Sequence, residues 1–312
     1  MAGPAHDDHE IRVMPVEFPS AGEVLVGSLY LPPTATPVTR RPAVVVAGAW
    51  ATVKEQMSAG YACEMAIRGL IALAFDFRTW GGSGGDQRSM EDPLAKAADI
   101  AAAADFLADR PEVDQEAIFG LGICAGSSYL AKAATQSAVI KAVALVAPAL
   151  PGRAVVLESL GGEDAVAVLV ASAREAQVTY ERDGRLTLVP AVDQNQANSV
   201  PGGDYYTNPE RGLIPEWDNT FNVASWSPWA NFDAQAAAQE ITQPLLIVHS
   251  DGAVSPASVR EFIAMVPHRV EQVWLPDVTQ FDFYDQAAPM SAAAEAATKH
   301  FLRTLDARLE QV

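Results

Sequence analysis

The residue best placed to do chemistry is a cysteine held between two glycines. Phe119 to Leu130 reads FGLGICAGSSYL, with Cys124 inside Gly122-Ile123-Cys124-Ala125-Gly126. An apolar, strand-like run precedes the cysteine and a helical stretch, 125–136, follows it. A strand-to-helix turn that lifts one side chain above a sheet bends sharply. The residues flanking it are small because larger side chains clash with the neighbouring strand and helix. Such a turn also opens a helix, whose dipole favours a thiolate and whose Ala125 N–H can face a developing oxyanion. The competing reading is an ordinary buried thiol, since free cysteine is often buried. A glycine on each side, between strand and helix, favours the nucleophile position. Cys63, in the helical stretch 54–69 beside apolar neighbours, reads as core.

The elements that must hold this turn follow from periodicity. IRVMPVEF and EVLVGSLYL alternate around PSAGE and predict a hairpin. AVVVAGAW, IALAFDF, AIFGLG, KAVALVAPAL and PLLIVHS are short and nearly continuously apolar, as strands covered on both faces are. Helical stretches alternate with them, which implies right-handed βαβ units, a mostly parallel sheet and the α/β class. Ligands of such sheets bind beyond the carboxyl ends of the strands, where Cys124, Trp50, Asp76 and Asp251 fall. The rhythm stops near Leu150. Residues 151–235 read as irregular, turn-rich and aromatic, with Tyr205, Tyr206, Trp217, Phe221, Trp226, Trp229 and Phe232. They are taken as a cap inserted after the sixth strand, between core segments 11–150 and 236–312. Residues 1–10 are a loose tail. With Trp50 and Trp80, the cap aromatics Trp226 and Trp229 predict a mostly apolar small-molecule pocket. The alternative is that they form a small core of the cap's own.

Composition bounds the rest. The chain has 312 residues, 49% apolar and 19% charged, enough for one large domain with an insertion. A net charge of −18 disfavours nucleic acid and anionic membrane as partners. The expected partner is a small-molecule substrate, and a homodimer stays among the open oligomeric states. The two cysteines, 61 positions apart, make neither a disulfide framework nor a metal-ligand spacing. HDDH in MAGPAHDDHE reads as a solvated terminus. The same stretch lacks the pattern of a signal peptide. No apolar run reaches the roughly 18 residues of a membrane span, and the expected location is cytoplasmic. GGSGG, 81–85, lacks the lysine of a phosphate cradle. No metal or organic cofactor is expected.

From about residue 20 to the C-terminus the chain resembles the α/β-hydrolase superfamily, in its dienelactone hydrolase-like branch, whose nucleophile is often cysteine. The resemblance is carried by VKEQ (53–56), FDFRTWGGSGG (75–85), the elbow GICAGS, LLIVHSD and VTQFDFYD (278–285). It implies an enzyme acting on an ester, lactone or thioester carbonyl. Cys124 matches the nucleophile and Asp251 the orienting acid. Ala125 supplies one oxyanion N–H, and Ala49 or Trp50 the second. Lys54, Glu55 and Gln56 match a signature that pins a loop, and Asp76 and Arg78 look structural.

One position departs. The resemblance places the catalytic base in a loop of the form Thr-His-x-Asp-x-Tyr-Asp. This chain has Thr279-Gln280-Phe281-Asp282-Phe283-Tyr284-Asp285, with Gln280 at the base. A neutral amide cannot take a thiol proton. In subtilisin, losing the histidine costs roughly 10⁶ in turnover. Cysteine depends less on a base than serine does, so acylation by a thioester survives while deacylation by water loses its general base. His249 ends the strand before Asp251, where this superfamily often carries a structural histidine. His6, His9, His268 and His300 read as surface or packing residues. Three accounts stand open. The chain is a base-free cyclase, lyase or isomerase, or a ligand-binding pseudohydrolase, or it carries a substitution for a natural histidine.

Overall fold

A computed structural model describes residues 10–193 and 203–309; the tail with His6 and His9 lies outside them. The strands of the main sheet are β1 (Arg12–Ser20), β2 (Glu23–Leu31), β3 (Arg41–Ala47), β4 (Ile71–Phe75), β5 (Val113–Ile123) and β6 (Val143–Val146). A ribbon of β7 (Leu188–Pro190) and β8 (Thr220–Asn222) stands apart, and β9 (Leu245–His249) and β10 (Val270–Trp274) complete the sheet. The sheet order is β1-β2-β4-β3-β5-β6-β9-β10. The first two pairings are antiparallel and the remainder parallel. This mixed, mostly parallel sheet flanked by helices is the α/β-hydrolase fold.

Both faces are covered, which is why the central strands are apolar throughout. The helices are α1 (Met57–Ile67), α2 (Pro93–Ala108), α3 (Ala125–Ala134), α4 (Arg153–Ser159), α5 (Glu163–Asp183), α6 (Asp204–Thr207), α7 (Trp226–Ala230), α8 (Pro256–Met265), α9 (Asp282–Asp285) and α10 (Ala287–Leu309). Along β3, Val45 packs with Ile100 of α2 and Leu130 of α3. Val44 and Val46 pack on the other face with Tyr61 of α1 and Phe301 of α10. The chain leaves β3 for β4 on one side and then crosses to β5 on the other. The carboxyl ends of β3 and β5 therefore meet at a topological switch point, the place where such sheets open a crevice.

The segment between β6 and β9 is more regular than its sequence suggests. It holds the 21-residue helix α5, of which only Val166, Ala173 and Ala176 are buried. Val168 and Val178 are exposed, so the apolar stripe is too narrow to stand out as a 3.6 period. The segment is fastened to the core by named bonds. Asn222 N donates to Ser89 O (2.9 Å), Glu91 N to Ser225 Oγ (2.8 Å) and Gln56 Nε2 to Gly212 O (2.7 Å). Arg211 grips Asp285 at 2.6 Å.

The elbow glycines are required by space. A Cβ on Gly126 would lie 2.2 Å from Gly48 O and 2.4 Å from Ala47 O, and one on Gly122 would lie 2.7 Å from the Ser127 Cα. These are backbone atoms, which cannot swing aside. Gly126→Ala is therefore expected to cost about 3 kcal/mol, the upper range for overpacking, read as a lower denaturant midpoint against wild type. An unchanged midpoint would mean that the β3 end yields.

Candidate active site

Cys124 is the N-cap of α3 with φ 53° and ψ −122°. A non-glycine residue held there is strained and persists only when its surroundings fix it. Three backbone bonds do so. Cys124 N donates to Val146 O (3.1 Å), and Cys124 O accepts from Ser127 N (3.1 Å) and Ala149 N (3.0 Å). Ala51 (φ 53°) and Ala147 (φ 42°), beyond the ends of β3 and β6, share this left-handed backbone. These three lie beyond the ends of neighbouring strands, three of nine non-glycine residues with positive φ among the described residues.

The loop after β3 is pinned so that its amides stay free. Thr52 Oγ1 donates to Ala49 O (2.8 Å), Ala51 N to Glu91 Oε2 (3.1 Å) and Trp217 Nε1 to Ala51 O (2.7 Å). Among the described residues, the Ala49 and Trp50 N–H groups meet no protein acceptor. The Ala125 N–H faces the Cys124 sulfur. Lys54 anchors the same loop through backbone and side-chain bonds to the buried Asp76 at 2.7 and 2.9 Å. Arg78 pairs with Asp99 at 2.6 Å.

Glu91 organises the floor of the site. Its carboxylate accepts from Lys96 Nζ (2.6 Å), Tyr129 Oη (2.6 Å) and Ala51 N (3.1 Å), and both charged side chains are buried. Lys96 Nζ also lies 4.6 Å from the Phe77 ring centroid and 5.1 Å from that of Trp80. Burial pulls the Lys96 pKa down, against the pull of Glu91. The residue types gave one signal for this pair. Lys96 stands in the stripe Lys96, Ile100, Ala103, Leu107, all buried on α2, and a charge in such a stripe needs a partner.

Gln280 is buried and fully engaged. Its Nε2 donates to Ala147 O (2.9 Å) and Tyr284 Oη (3.2 Å), and its Oε1 accepts from Val254 N (3.0 Å). Asp251 does not take the position expected of an orienting acid. Its carboxylate is 73% exposed and turned onto Arg260 at 2.6 Å, while the Gln280 N–H groups are taken by Ala147 O and Tyr284 Oη. Trp80 is a correction of another kind. It is a buried pillar whose Nε1 donates to Met90 O (2.8 Å), and it lies under the site as packing. His249 is buried, edge-on to Trp274 at 5.2 Å, and burial lowers its pKa to about 4.

The aromatic residues pack on one another and include some that sequence reasoning left without a role. Trp50, Phe221, Trp226 and Trp229 form a chain of rings with centroid spacings of 5.0, 5.0 and 5.8 Å. Tyr206, Phe281 and Tyr284 form a second set, edge to face. Cys124, Trp50, Tyr206 and Trp229 each keep partial exposure, so the centre is not filled solid. The Trp50 and Trp226 indole N–H groups are buried without a partner. A separate groove of about 890 Å³ runs between α5 and the core, lined by Met90, Leu94, Arg174 and Phe232. Cys124 is not part of its lining.

Burial is the dominant effect on Cys124 and pushes its thiol pKa up. Tyr284, the Ala125 N–H and Gln280 pull it back in that order, and the charge of Glu91 adds to the rise. The resting sulfur is a protonated thiol beside donors able to stabilise its anion. Among the described residues no cluster of three or more metal-ligating side chains occurs, and no helix is long and apolar enough to cross a membrane.

No known family profile matches the chain. It is 30% identical over 278 residues to the uncharacterized protein PA2218 of Pseudomonas aeruginosa, covering 85% of this chain and 74% of that protein. The crystal structure of PA2218 superposes with a TM-score of 0.81 over 96% of both chains. A thiohydrolase of Eupenicillium brefeldianum is 26% identical over 72% of this chain and 74% of its own length. The α/β hydrolase GrgF of Penicillium sp. sh18 shares the fold at TM-score 0.77 and 20% identity, over 94% of this chain and 99% of its own. A dienelactone hydrolase of Anabaena variabilis does so at 0.57 and 12%, over 95% and 99%.

Two measurements test this geometry. Lys96→Met leaves the Glu91 carboxylate buried without its cation and is expected to cost about 3–5 kcal/mol in denaturant unfolding; a loss under about 1 kcal/mol would mean that water reaches Glu91. Alkylation of Cys124 by iodoacetamide needs the thiolate. Its rate is expected to stay low near pH 7 and to climb only above the free-thiol range of about 8.5. A plateau reached below that value would show an activated thiol and contradict the burial effect.

Proposed function

The chain belongs to the α/β-hydrolase-fold family of the Pseudomonas aeruginosa protein PA2218, and we propose that it is a hydrolase-type enzyme that takes an acyl group onto Cys124. The donor is a thioester, ester or lactone carbonyl on a small, mainly apolar molecule. The reading is carried by one observation. The cysteine is kept in a strained elbow next to the Ala125 amide, and the loop after β3 leaves the Ala49 and Trp50 amides without a protein acceptor among the described residues. Backbone strain without a task would be lost to a relaxed turn, since each such residue costs about 1–3 kcal/mol.

The substrate carbonyl oxygen sits among these amides, which stabilise the charge that develops as sulfur adds. Trp50, Trp226 and Trp229 wall off water and hold the apolar part of the substrate. The unpartnered indole N–H groups of Trp50 and Trp226 favour a substrate with hydrogen-bond acceptors. A thioester is the preferred donor because a thiol can exchange with it without a strong base. The thiohydrolase relative agrees with this class.

Non-hydrolytic release is the second reading, favoured by Gln280. With both amide hydrogens and its oxygen engaged, the side chain has no means to activate water. Release then falls to a nucleophile in the acyl group itself, as in a cyclisation, where proximity replaces base strength. A pure binding protein fits less well, because binding needs no strained cysteine.

Intact-protein mass after mixing with activated esters, lactones and thioesters tests the reading. Wild type is expected to gain one acyl group that Cys124→Ala does not gain. Gln280→His is expected to release it at least about 100-fold faster, a typical general-base contribution. Asp251 is free to turn inward for that imidazole, since its exposed pair with Arg260 holds it by only about 0–1 kcal/mol. No adduct from any donor would sink the acyl-transfer reading.

A further inference from the structure

Acyl transfer at Cys124 needs an amide that stays aimed at the carbonyl oxygen while charge gathers there. The loop after β3 has the means to hold one. Three consecutive peptide units of this loop are each held by one side chain. Ala49 O accepts from Thr52 Oγ1 (2.8 Å), Ala51 N donates to Glu91 Oε2 (3.1 Å) and Ala51 O accepts from Trp217 Nε1 (2.7 Å). All three side chains belong to buried residues.

A trans peptide unit is planar, so its C=O and N–H point in opposite directions. The Thr52 hydroxyl on Ala49 O therefore sets the direction of the Trp50 N–H, which meets no protein acceptor among the described residues. The next two units flank Ala51. Glu91 holds one at its N–H and Trp217 holds the other at its C=O, so both backbone angles of Ala51 are fixed. An alanine at φ 53° relaxes once either flanking peptide is free to rotate, and that rotation carries the Trp50 unit with it. Trp217 comes from the inserted segment, as does Ser225, whose Oγ accepts the Glu91 N–H at 2.8 Å. The Trp217 ring also packs on Tyr206 at 5.4 Å.

We propose that Thr52 and Trp217 are positioning residues that hold the Trp50 N–H for the carbonyl oxygen of the acyl donor, an inference that rests on the acyl-transfer reading above. Thr52 acts through Ala49 O and Trp217 through Ala51 O, and neither needs to touch the substrate. Of the two amides without an acceptor, that of Trp50 is the one whose direction a side chain fixes. A preorganised donor is effective because it does not have to turn as charge develops, and these bonds to one short loop supply that preorganisation. The inserted segment is then part of the machinery as well as a cover. When it lifts, Trp217 leaves Ala51 O, the left-handed residue relaxes and the Trp50 amide loses its aim. Charge stabilisation is confined to the closed site.

The test sets two reactions of one sulfur side by side, each followed by the mass gained at Cys124. In acylation by an alkyl thioester, charge gathers on the carbonyl oxygen. In alkylation by iodoacetamide, sulfur displaces iodide at a saturated carbon and no oxyanion forms. Thr52→Val keeps the shape of the side chain and loses the hydroxyl. Trp217→Phe keeps a ring against Tyr206 and loses the N–H. Each is expected to lower the saturating rate of single-turnover acylation about 10-fold or more, as misplaced groups do, and to change the half-saturating thioester concentration and the alkylation rate less than about 2-fold. Equal slowing of both reactions, or acylation as fast as in wild type, would overturn the positioning role and leave acyl transfer standing. Wild type that iodoacetamide labels and the thioester does not would overturn acyl transfer itself. Should Trp217→Phe fold poorly, Thr52→Val decides by the same ratio.

Discussion

The carboxylate of Glu91 is the interaction on which the site depends. It lies in the interior with the Lys96 ammonium at 2.6 Å, and both side chains are buried. Removing two charges from water costs several kcal/mol per ion, and their attraction offsets this only when the remaining lone pairs are also satisfied. Here they are, by Tyr129 Oη and Ala51 N, while the ammonium rests on the faces of Phe77 and Trp80. One group thereby joins α2, α3 and the loop after β3. Its own N–H donates to Ser225, which adds the inserted segment. The gain is position rather than stability. A left-handed Ala51 would relax without the bond to its N–H, and the amides of Ala49 and Trp50 would turn with it.

The elbow and this loop are two halves of one constraint. Gly126 lets α3 approach so closely that a Cβ would strike Gly48 O at 2.2 Å. The start of α3 and the end of β3 are therefore held in close contact. Trp217 holds Ala51 O from the inserted segment, so the same loop is gripped from below by Glu91 and from above by an indole. Preorganised donors of this kind need no rearrangement as charge develops.

Most of the fold was legible because its signals are local. Buried strands are continuously apolar, and the glycines around Cys124 announce a turn that only small residues allow. The helix α5 was not, since three buried residues in 21 leave too faint a stripe. Within the site the sequence indicated residue types and hid directions. Asp251 stands after the strand where an acid is expected, yet side-chain rotation decides its role, and Arg260 holds it outward. Trp80 looked like a pocket wall and is a support for Lys96. Glu91 and Tyr129 are distant from each other in sequence, and only the packing of α2 against α3 brings them together. Tyr284 was visible beside Gln280, but its bond with that amide arises from the turn of α9.

An amide at position 280 bears on more than one neighbouring side chain. A histidine at 280 would need an acid at its outer nitrogen, and the cost of a buried, unpaired carboxylate would be met by that bond. With Gln280 the bond is gone, and a carboxylate left inside would be a buried charge without a partner. Asp251 turning to solvent is the expected consequence. Gln280 meanwhile keeps what an amide can supply, two donated hydrogens and one accepted, which tie the β6 end, Tyr284 and the loop after β9. Together these bonds make Gln280 a clamp between the β6 end, α9 and the loop after β9.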